Sequence, residues 1–339
     1  MPRLCSSLLL SLLIASSASA VTLGLTPIGD PGNACDPQQF SIGVTNPCSG
    51  GVNYAYHIGT YEVTNAQYAE FLNAKAASDP LGLYNTGMAN SSFSGNGGIT
   101  RTGISGSYTY SAIAGRANMP VNYVSAYDAM RFANWMNNGQ GSSDTESGSY
   151  LLLGGTATPS NGTTVTRSAG AQFVLPSNDE WYKAAYYAPS TLSYFDYPTG
   201  TDALPTCTTP TATANRANCD PPGPPMATVV PVGSYLGSPS PYGTFDQGGN
   251  VYEWSQAIPI PNGTVQSACG LDPGVCREKY GGSFAPPSSY LVAGAAWVGF
   301  AASDYVDTGF RLAYIPEPST GLLVIAGLLG FAARRRTRA

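Results

Sequence analysis

The chain is poor in histidine and in charge, and these two shortages exclude much of protein chemistry. A single histidine, His57, occurs among 339 residues. A two-histidine iron triad, a three-histidine zinc site and a His-x-x-x-His motif are therefore all impossible. A Ser-His-Asp triad would have to run through His57, which lies in a strand-like stretch with no nucleophile marked beside it, so a structural histidine is the reading preferred. Only 10% of the residues are charged, and the net charge is −5. Nucleic acid and anionic membrane surfaces are poor partners for such a chain. None of the cysteines has metal-ligand spacing, and the histidines that zinc sites usually recruit are missing.

The two ends are organised for export. Pro2 and Arg3 make a weakly positive start, Leu8 to Ile14 is apolar, and Ala18-Ser19-Ala20 fits a signal-peptidase site with cleavage after Ala20. At the other end Pro316-Glu317-Pro318 leads into an apolar run from Thr320 to Ala333, which stops at Arg334, Arg335 and Arg336. At 1.5 Å per residue that run reaches about 21 Å, short of a ~30 Å hydrocarbon core. The arginines would stay on the cytoplasmic side and hold the tail during export. These three parts together resemble the PEP-CTERM sorting signal of Gram-negative bacteria. The resemblance implies cleavage near the Pro-Glu-Pro by an exosortase-type membrane protease and delivery to the cell envelope or extracellular matrix. The alternative is a permanent, slightly short membrane anchor.

Between the ends lie about 295 residues, enough for one large domain or two small ones. Without the two ends, Lys plus Arg falls from 15 to 10 and Asp plus Glu from 20 to 19, a mature net charge of −9. Such an acidic domain is compatible with calcium, which oxygen-rich loops attract. Six cysteines remain in three close pairs, Cys35/Cys48, Cys207/Cys219 and Cys269/Cys276. In an oxidising compartment three local disulfides are the economical reading, though six cysteines allow fifteen connectivities.

Residues 21–51 read as an irregular, Gly/Pro-rich entry segment, followed by a strand over Tyr54 to Val63. Thr64-Asn-Ala-Gln67 has capping-box form, and Tyr68, Phe71 and Leu72 share one face of the helix it starts. Ser125 is the expected N-cap of a second helix with Ala129, Phe132, Ala133 and Met136 inward. Ser177-Asn-Asp-Glu180 caps a third, with Trp181, Ala184 and Ala185 inward. Short strands are expected near Ser107 to Ile113, Thr228 to Tyr235, Lys279 to Phe284 and Gly309 to Ala313. Scattered helices among short strands and long ordered loops make the fold class α+β.

Six blocks resemble, in order, the formylglycine-generating enzyme or sulfatase-modifying factor family. They are Gly59 to Leu72, Met119 to Ala129, Leu175 to Ala185, Gly243 to Trp254, Tyr280 to Phe284 and Thr308 to Leu312. The resemblance implies one loop-rich domain over 52–315, related to C-type lectins, with the sorting tail at 316–339 and its short membrane segment at 320–333. It implies copper chemistry on two cysteines for the family's enzymes, but those positions here are Pro286 and Leu291. Proline cannot bind copper or cycle through oxidation, so copper is not expected. Cys269 and Cys276 precede the block and are read as a disulfide. Family members that use non-haem iron need histidines this chain does not have.

The resemblance also implies calcium, held at the positions of Asp246, Gly249, Val251 and Glu253. Two carboxylates and two backbone carbonyls are the hard oxygen set calcium takes, and Gly248 and Gly249 let the backbone turn. The alternative is a Gly-rich turn that only precedes a strand and packs Trp254. Asn218 is carried as a candidate for a second family calcium site whose other ligands do not align. The leading expectation is a secreted, calcium-stabilised module for a polysaccharide or surface-protein ligand. The tyrosines suit such contacts, and equally suit a core. The competing expectations are an enzyme with a rearranged site around Ser283, Arg311 and Glu253, and a purely structural matrix component.

Overall fold

The computed structural model describes residues 20–37, 48–92, 96–220, 228–260, 269–270 and 272–317. The expected signal peptide up to Ser19 and the tail from Pro318 onward, with Arg334, Arg335 and Arg336, lie outside the described residues. Among the described residues no helix is long and apolar enough to cross a membrane.

In chain order the elements are β1 (Leu25–Ile28), β2 (Tyr56–Gly59), α1 (Asn65–Lys75), β3 (Ile99–Thr102), β4 (Thr109–Ala112), α2 (Ala126–Asn137) and β5 (Phe173–Val174). There follow α3 (Asn178–Tyr186), β6 (Tyr187–Ala188), β7 (Ser193–Tyr194), β8 (Thr206–Cys207) and β9 (Arg216–Ala217). The last five are β10 (Tyr252–Trp254), β11 (Cys276–Tyr280), β12 (Ala296–Phe300), β13 (Thr308–Gly309) and β14 (Ala313–Tyr314). Two four-stranded sheets organise the chain, one in the order β1-β2-β14-β5 and the other β12-β11-β10-β13. This is the expected α+β architecture of three helices among short strands.

All three helices start where the sequence places them, for a local reason. Thr64, Ser125 and Ser177 each accept from the N3 backbone N–H while the N3 side chain accepts from the cap's own N–H. Each box satisfies two backbone donors that the helix itself leaves orphaned. Ser125→Ala should cost about 1–2 kcal/mol, read as a lower urea midpoint with an unchanged slope. An unchanged midpoint would mean that the Asp128 side chain alone caps α2.

The inward faces of α1 and α2 meet in an aromatic cluster. Phe71 and Phe132 pack edge to face at 5.4 Å, Phe132 meets Phe310 at 5.4 Å, and Phe71 meets Trp135 at 5.3 Å. Tyr68, Phe71, Phe132 and Phe310 have no exposed surface. Buried rings of this size each contribute roughly 1.5–3 kcal/mol by area.

Several strands differ from the sequence reading. The entry segment contains β1, which pairs antiparallel with β2. Residues 228–235 form no strand, because Val230 and Gly233 donate to the side chains of Asn250 and Asp246 rather than to a ladder. The strand expected over Lys279 to Phe284 sits earlier, at β11, and ends where Gly281 and Gly282 turn into the left-handed region with φ of 88° and 72°. The single strand expected over Gly309 to Ala313 is two. β13 joins β10 in parallel, and β14 enters the other sheet between β2 and β5. The strand read over Tyr54 to Val63 is confined to β2.

The disulfides are Cys35–Cys48, Cys207–Cys219 and Cys269–Cys276, the pairing that proximity favoured. His57, on β2, packs edge-on to Tyr314 at 6.0 Å, and its Nδ1 is buried without a hydrogen-bond partner.

Candidate functional site

Splitting the last strand has a chemical consequence, because Arg311 lies between its two halves and turns inward. Its Nε and one terminal nitrogen donate to the Glu253 carboxylate at 2.5 and 2.6 Å. The remaining contacts run to the carbonyls of Gly59 and Phe245, both at 2.8 Å, and of Thr60 at 3.4 Å. Trp181 of α3 donates its indole N–H to Glu253 at 2.7 Å. Arg311, Glu253 and Trp181 are all fully buried. Burial works against the Arg311 charge, but Glu253, Glu62 and Asp246 hold it protonated, above its usual value.

Around this ion pair the carboxylates outnumber the cation. Glu62 is buried and takes one hydrogen bond, from Asn250 at 3.1 Å, while its Oε2 has no partner. Burial and then Asp246 drive the Glu62 carboxyl well above the carboxylate range, against the pull of Arg311. Asp246 accepts from the Gly233 N–H at 2.5 Å, and burial pushes its carboxyl up to about 6. A buried site with three carboxylates and one guanidinium holds more negative charge than its own residues neutralise, which a divalent cation or protons would offset.

The loop that carries Asp246 is built from residues in unusual backbone conformations. Asp246 and Asn250 both have φ of 59°, and Gly249 has φ of 94°. A Cβ on Gly249 would come within 2.2 Å of the Asn218 carbonyl oxygen, so only glycine fits where the two segments cross. Asn218 bridges to Gly249 in parallel and donates to the Asn250 side chain at 3.1 Å.

The expected ligand positions Asp246, Gly249, Val251 and Glu253 thus share one buried neighbourhood with Asn218. Glu253 gives both of its oxygens to Arg311, and no three His, Cys, Asp or Glu side chains converge among the described residues. In charge and in its orphaned Glu62 oxygen the neighbourhood suits a divalent cation, with Glu253 shared rather than free. Glu62 is the residue the sequence reading passed over. Its signal was present, since it falls in step with Tyr56 and Ile58, both buried, on an alternating stretch.

Pro286 and Leu291 lie nearby, on the other side of the Gly281-Gly282 turn. The Pro286 carbonyl accepts from the Asp220 N–H at 2.9 Å. Leu291 is fully buried against Ala217, Cys219 and the ring of Tyr197. An open cavity of about 420 Å³, bordered by Thr206, Cys207, Asp220 and Pro287, sits beside Pro286. Ser283, Arg311 and Glu253 have no exposed surface, so none of the three faces that cavity.

The opposite face of the β12-β11-β10-β13 sheet is aromatic. Lys279 places its Nζ 4.5 Å from the ring centres of both Tyr252 and Tyr305, and 3.1 Å from the Thr308 hydroxyl. Burial lowers the Lys279 ammonium from its usual value, opposed by Asp307 at 3.9 Å. Tyr290 stacks on Trp297 at 5.2 Å with 5° between the rings.

The sequence matches the family model of the sulfatase-modifying factor enzyme 1-like domain over residues 32–315. It matches the PEP-CTERM protein-sorting motif over residues 315–336. Among solved structures the fold is similar to CarF, with a TM-score of 0.56 and 20% identity, covering 87% of this chain and 99% of that one. It is also similar to Treponema denticola variable protein 1, with a TM-score of 0.54 and 18% identity, covering 88% of this chain and 98% of that one. At such identities the likeness is one of fold. No curated protein matches the sequence.

Proposed function

The chain belongs to the family of sulfatase-modifying factor enzyme 1-like domains, and from that premise we propose a calcium-stabilised binding module without the family's copper chemistry. The PEP-CTERM tail marks it for export and for sorting to the envelope or matrix. Exosortase-type processing would act on that tail, beginning at Pro316 and Glu317. Signal-peptidase cleavage after Ala20 is supported at the other end. Ala20 is exposed, whereas Val21 is buried and joined through its N–H and carbonyl to the Gln140 side chain at 2.7 and 2.9 Å.

The observation that carries the calcium reading is the buried excess of carboxylate around Glu62, Asp246 and Glu253, with one Glu62 oxygen left without a partner. Calcium would be held by Asp246, the carbonyls of Gly249 and Val251, and a share of Glu253, and would supply positive charge to a site that is short of it. Asn218 would act by fixing the Gly249 turn. Proline and leucine at 286 and 291 offer neither a thiol nor any other soft ligand, which supports a module that binds rather than oxidises.

Removing calcium from the mature protein should therefore lower its stability. With free calcium at about 100 times Kd, chelation should cost roughly 2.7 kcal/mol, recovered when calcium is restored. The measurement is metal content together with thermal unfolding, with and without EDTA. Metal-free protein that melts unchanged in EDTA would sink the calcium reading. Bound copper would return the chain to the oxidising enzymes.

A further inference from the structure

The face of the second sheet that carries Lys279 offers more than packing. Strand register places Trp297 of the edge strand β12 opposite Lys279 of β11, and Lys279 opposite Trp254 of β10. Side chains directly opposite one another share a face, and residues two apart on a strand do as well. Trp297, Lys279, Trp254 and Tyr252 therefore line one side. Trp254 is sealed into the main core, whereas Trp297, Tyr290 and Tyr305 are half-exposed. Tyr290 stacks on Trp297, and Tyr305 lies over the Lys279 ammonium.

We infer that this aromatic face, centred on the stacked pair Tyr290 and Trp297, is the ligand surface of the module and that its ligand is a neutral polysaccharide. The inference rests on the binding-module reading and gives it a place and a ligand class. Three observations select the occupant. Aromatic rings that stay partly wet suit a partner with apolar C–H faces and hydroxyl edges, which describes a pyranose ring. The Trp297 indole N–H is buried beside the stack and has no acceptor within the protein. A sugar ring or hydroxyl oxygen is an uncharged acceptor suited to it, once the stack shifts to admit it.

The third observation is charge. Lys279 and Asp307 offset each other on this face at 3.9 Å, so the pair adds no net charge to it. The mature chain as a whole is strongly acidic, with Asp plus Glu well in excess of Lys plus Arg. Acidic glycans, nucleic acid and anionic lipid are all repelled by such a field. The neutral glycan is the class that meets the rings without meeting the charge.

The test is affinity electrophoresis of the mature protein in native gels containing dextran, hydroxyethylcellulose, galactomannan or alginate. Retardation is expected in at least one of the neutral gels and not in alginate. Trp297→Ala should weaken it about tenfold or more, as truncation of a central aromatic contact does. Tyr290→Ala, which removes the other half of the stack, should weaken it as well and covers the case in which the Trp297 variant fails to fold. Leu236→Ala, an exposed loop residue 68% accessible, should run as the wild type. No retardation in any neutral gel, retardation only in alginate, or wild-type retardation of both aromatic variants would overturn the inference. A protein partner in place of the glycan would give the first of these results. Failure here with the calcium response intact removes the ligand class alone, and loss of the calcium response with retardation intact removes the calcium reading alone.

Discussion

Replacing Arg311 by methionine should cost about 3–5 kcal/mol, the largest loss expected of a single substitution around the site. The guanidinium supplies both hydrogen bonds to Glu253 and ties it to the carbonyls of Gly59 and Phe245. Methionine fills similar volume but leaves Glu253 buried at 0% exposure with only Trp181 as a donor. The remaining carboxylate is then buried without a counter-charge, which is the costly outcome of breaking a buried pair. The pair itself need not stabilise the fold, because removing two ions from water costs nearly what their attraction returns. The double variant Arg311→Met with Glu253→Leu should therefore lose much less than the sum of the two single variants. Urea unfolding of all four proteins closes the cycle. A loss below 1 kcal/mol for Arg311→Met, or strict additivity, would show that the two side chains are energetically independent.

Glu278→Gln should act in the opposite sense, with a gain that grows as pH rises from about 4.5 and is complete above about 7. Glu278 on β11 is 1% exposed, and its carboxylate accepts from the Tyr280 hydroxyl. Burial, reinforced by Asp179, pushes it from 4.5 up to about 7, with the Tyr280 hydrogen bond opposing. Because the folded value is raised, the folded state binds the proton more tightly than the unfolded chain does. Its contribution is fully present below about 4.5, is lost as pH rises toward 7, and stays lost above that. A shift of that size corresponds to roughly 3 kcal/mol, and the unmatched amide hydrogens of glutamine would take back about 1 kcal/mol. The variant should thus exceed the wild type by about 2 kcal/mol at pH 8 and match or trail it at pH 4. Comparing the two proteins at each pH isolates this group from the other titrating carboxyls. A gain that is the same at both pH values would contradict the shift.

The helices were legible because their signals are local. A cap residue and its N3 partner lie within four positions of each other, so Thr64 with Gln67, Ser125 with Asp128 and Ser177 with Glu180 specify their own starts. The strands were legible only in part. β13 and β14 are two residues each, too short for alternation to register, and exist because partners distant in sequence hold them. The stretch from Val229 to Gly233 has strand-like composition, yet the N–H groups of Val229, Val230 and Gly233 are claimed by the side chains of Asn96, Asn250 and Asp246, which no local rule reveals.

The site divides in the same way. Asp246 and Glu253 could be named because they sit in one short block, but their relation to Arg311 and Glu62 could not. Glu62 is contributed from just after β2 and Arg311 from after β13, and only the folded sheets bring them to the same place. The aromatic face was less legible still. Tyr252, Tyr290, Trp297 and Tyr305 span more than fifty residues and become neighbours only once strand register aligns them.

The chain leaves the domain through β14, and that strand is bracketed on both sides. Ala313 and Tyr314 pair with β2 on one flank and with β5 on the other, and Ile315, the first residue of the sorting-motif match, still donates to the Gln172 carbonyl at 2.8 Å. A pull on the tail therefore runs along the strand and loads these hydrogen bonds together, in shear, instead of peeling them one at a time. A load applied at that end of the domain would reach the centre of a sheet rather than a loose end.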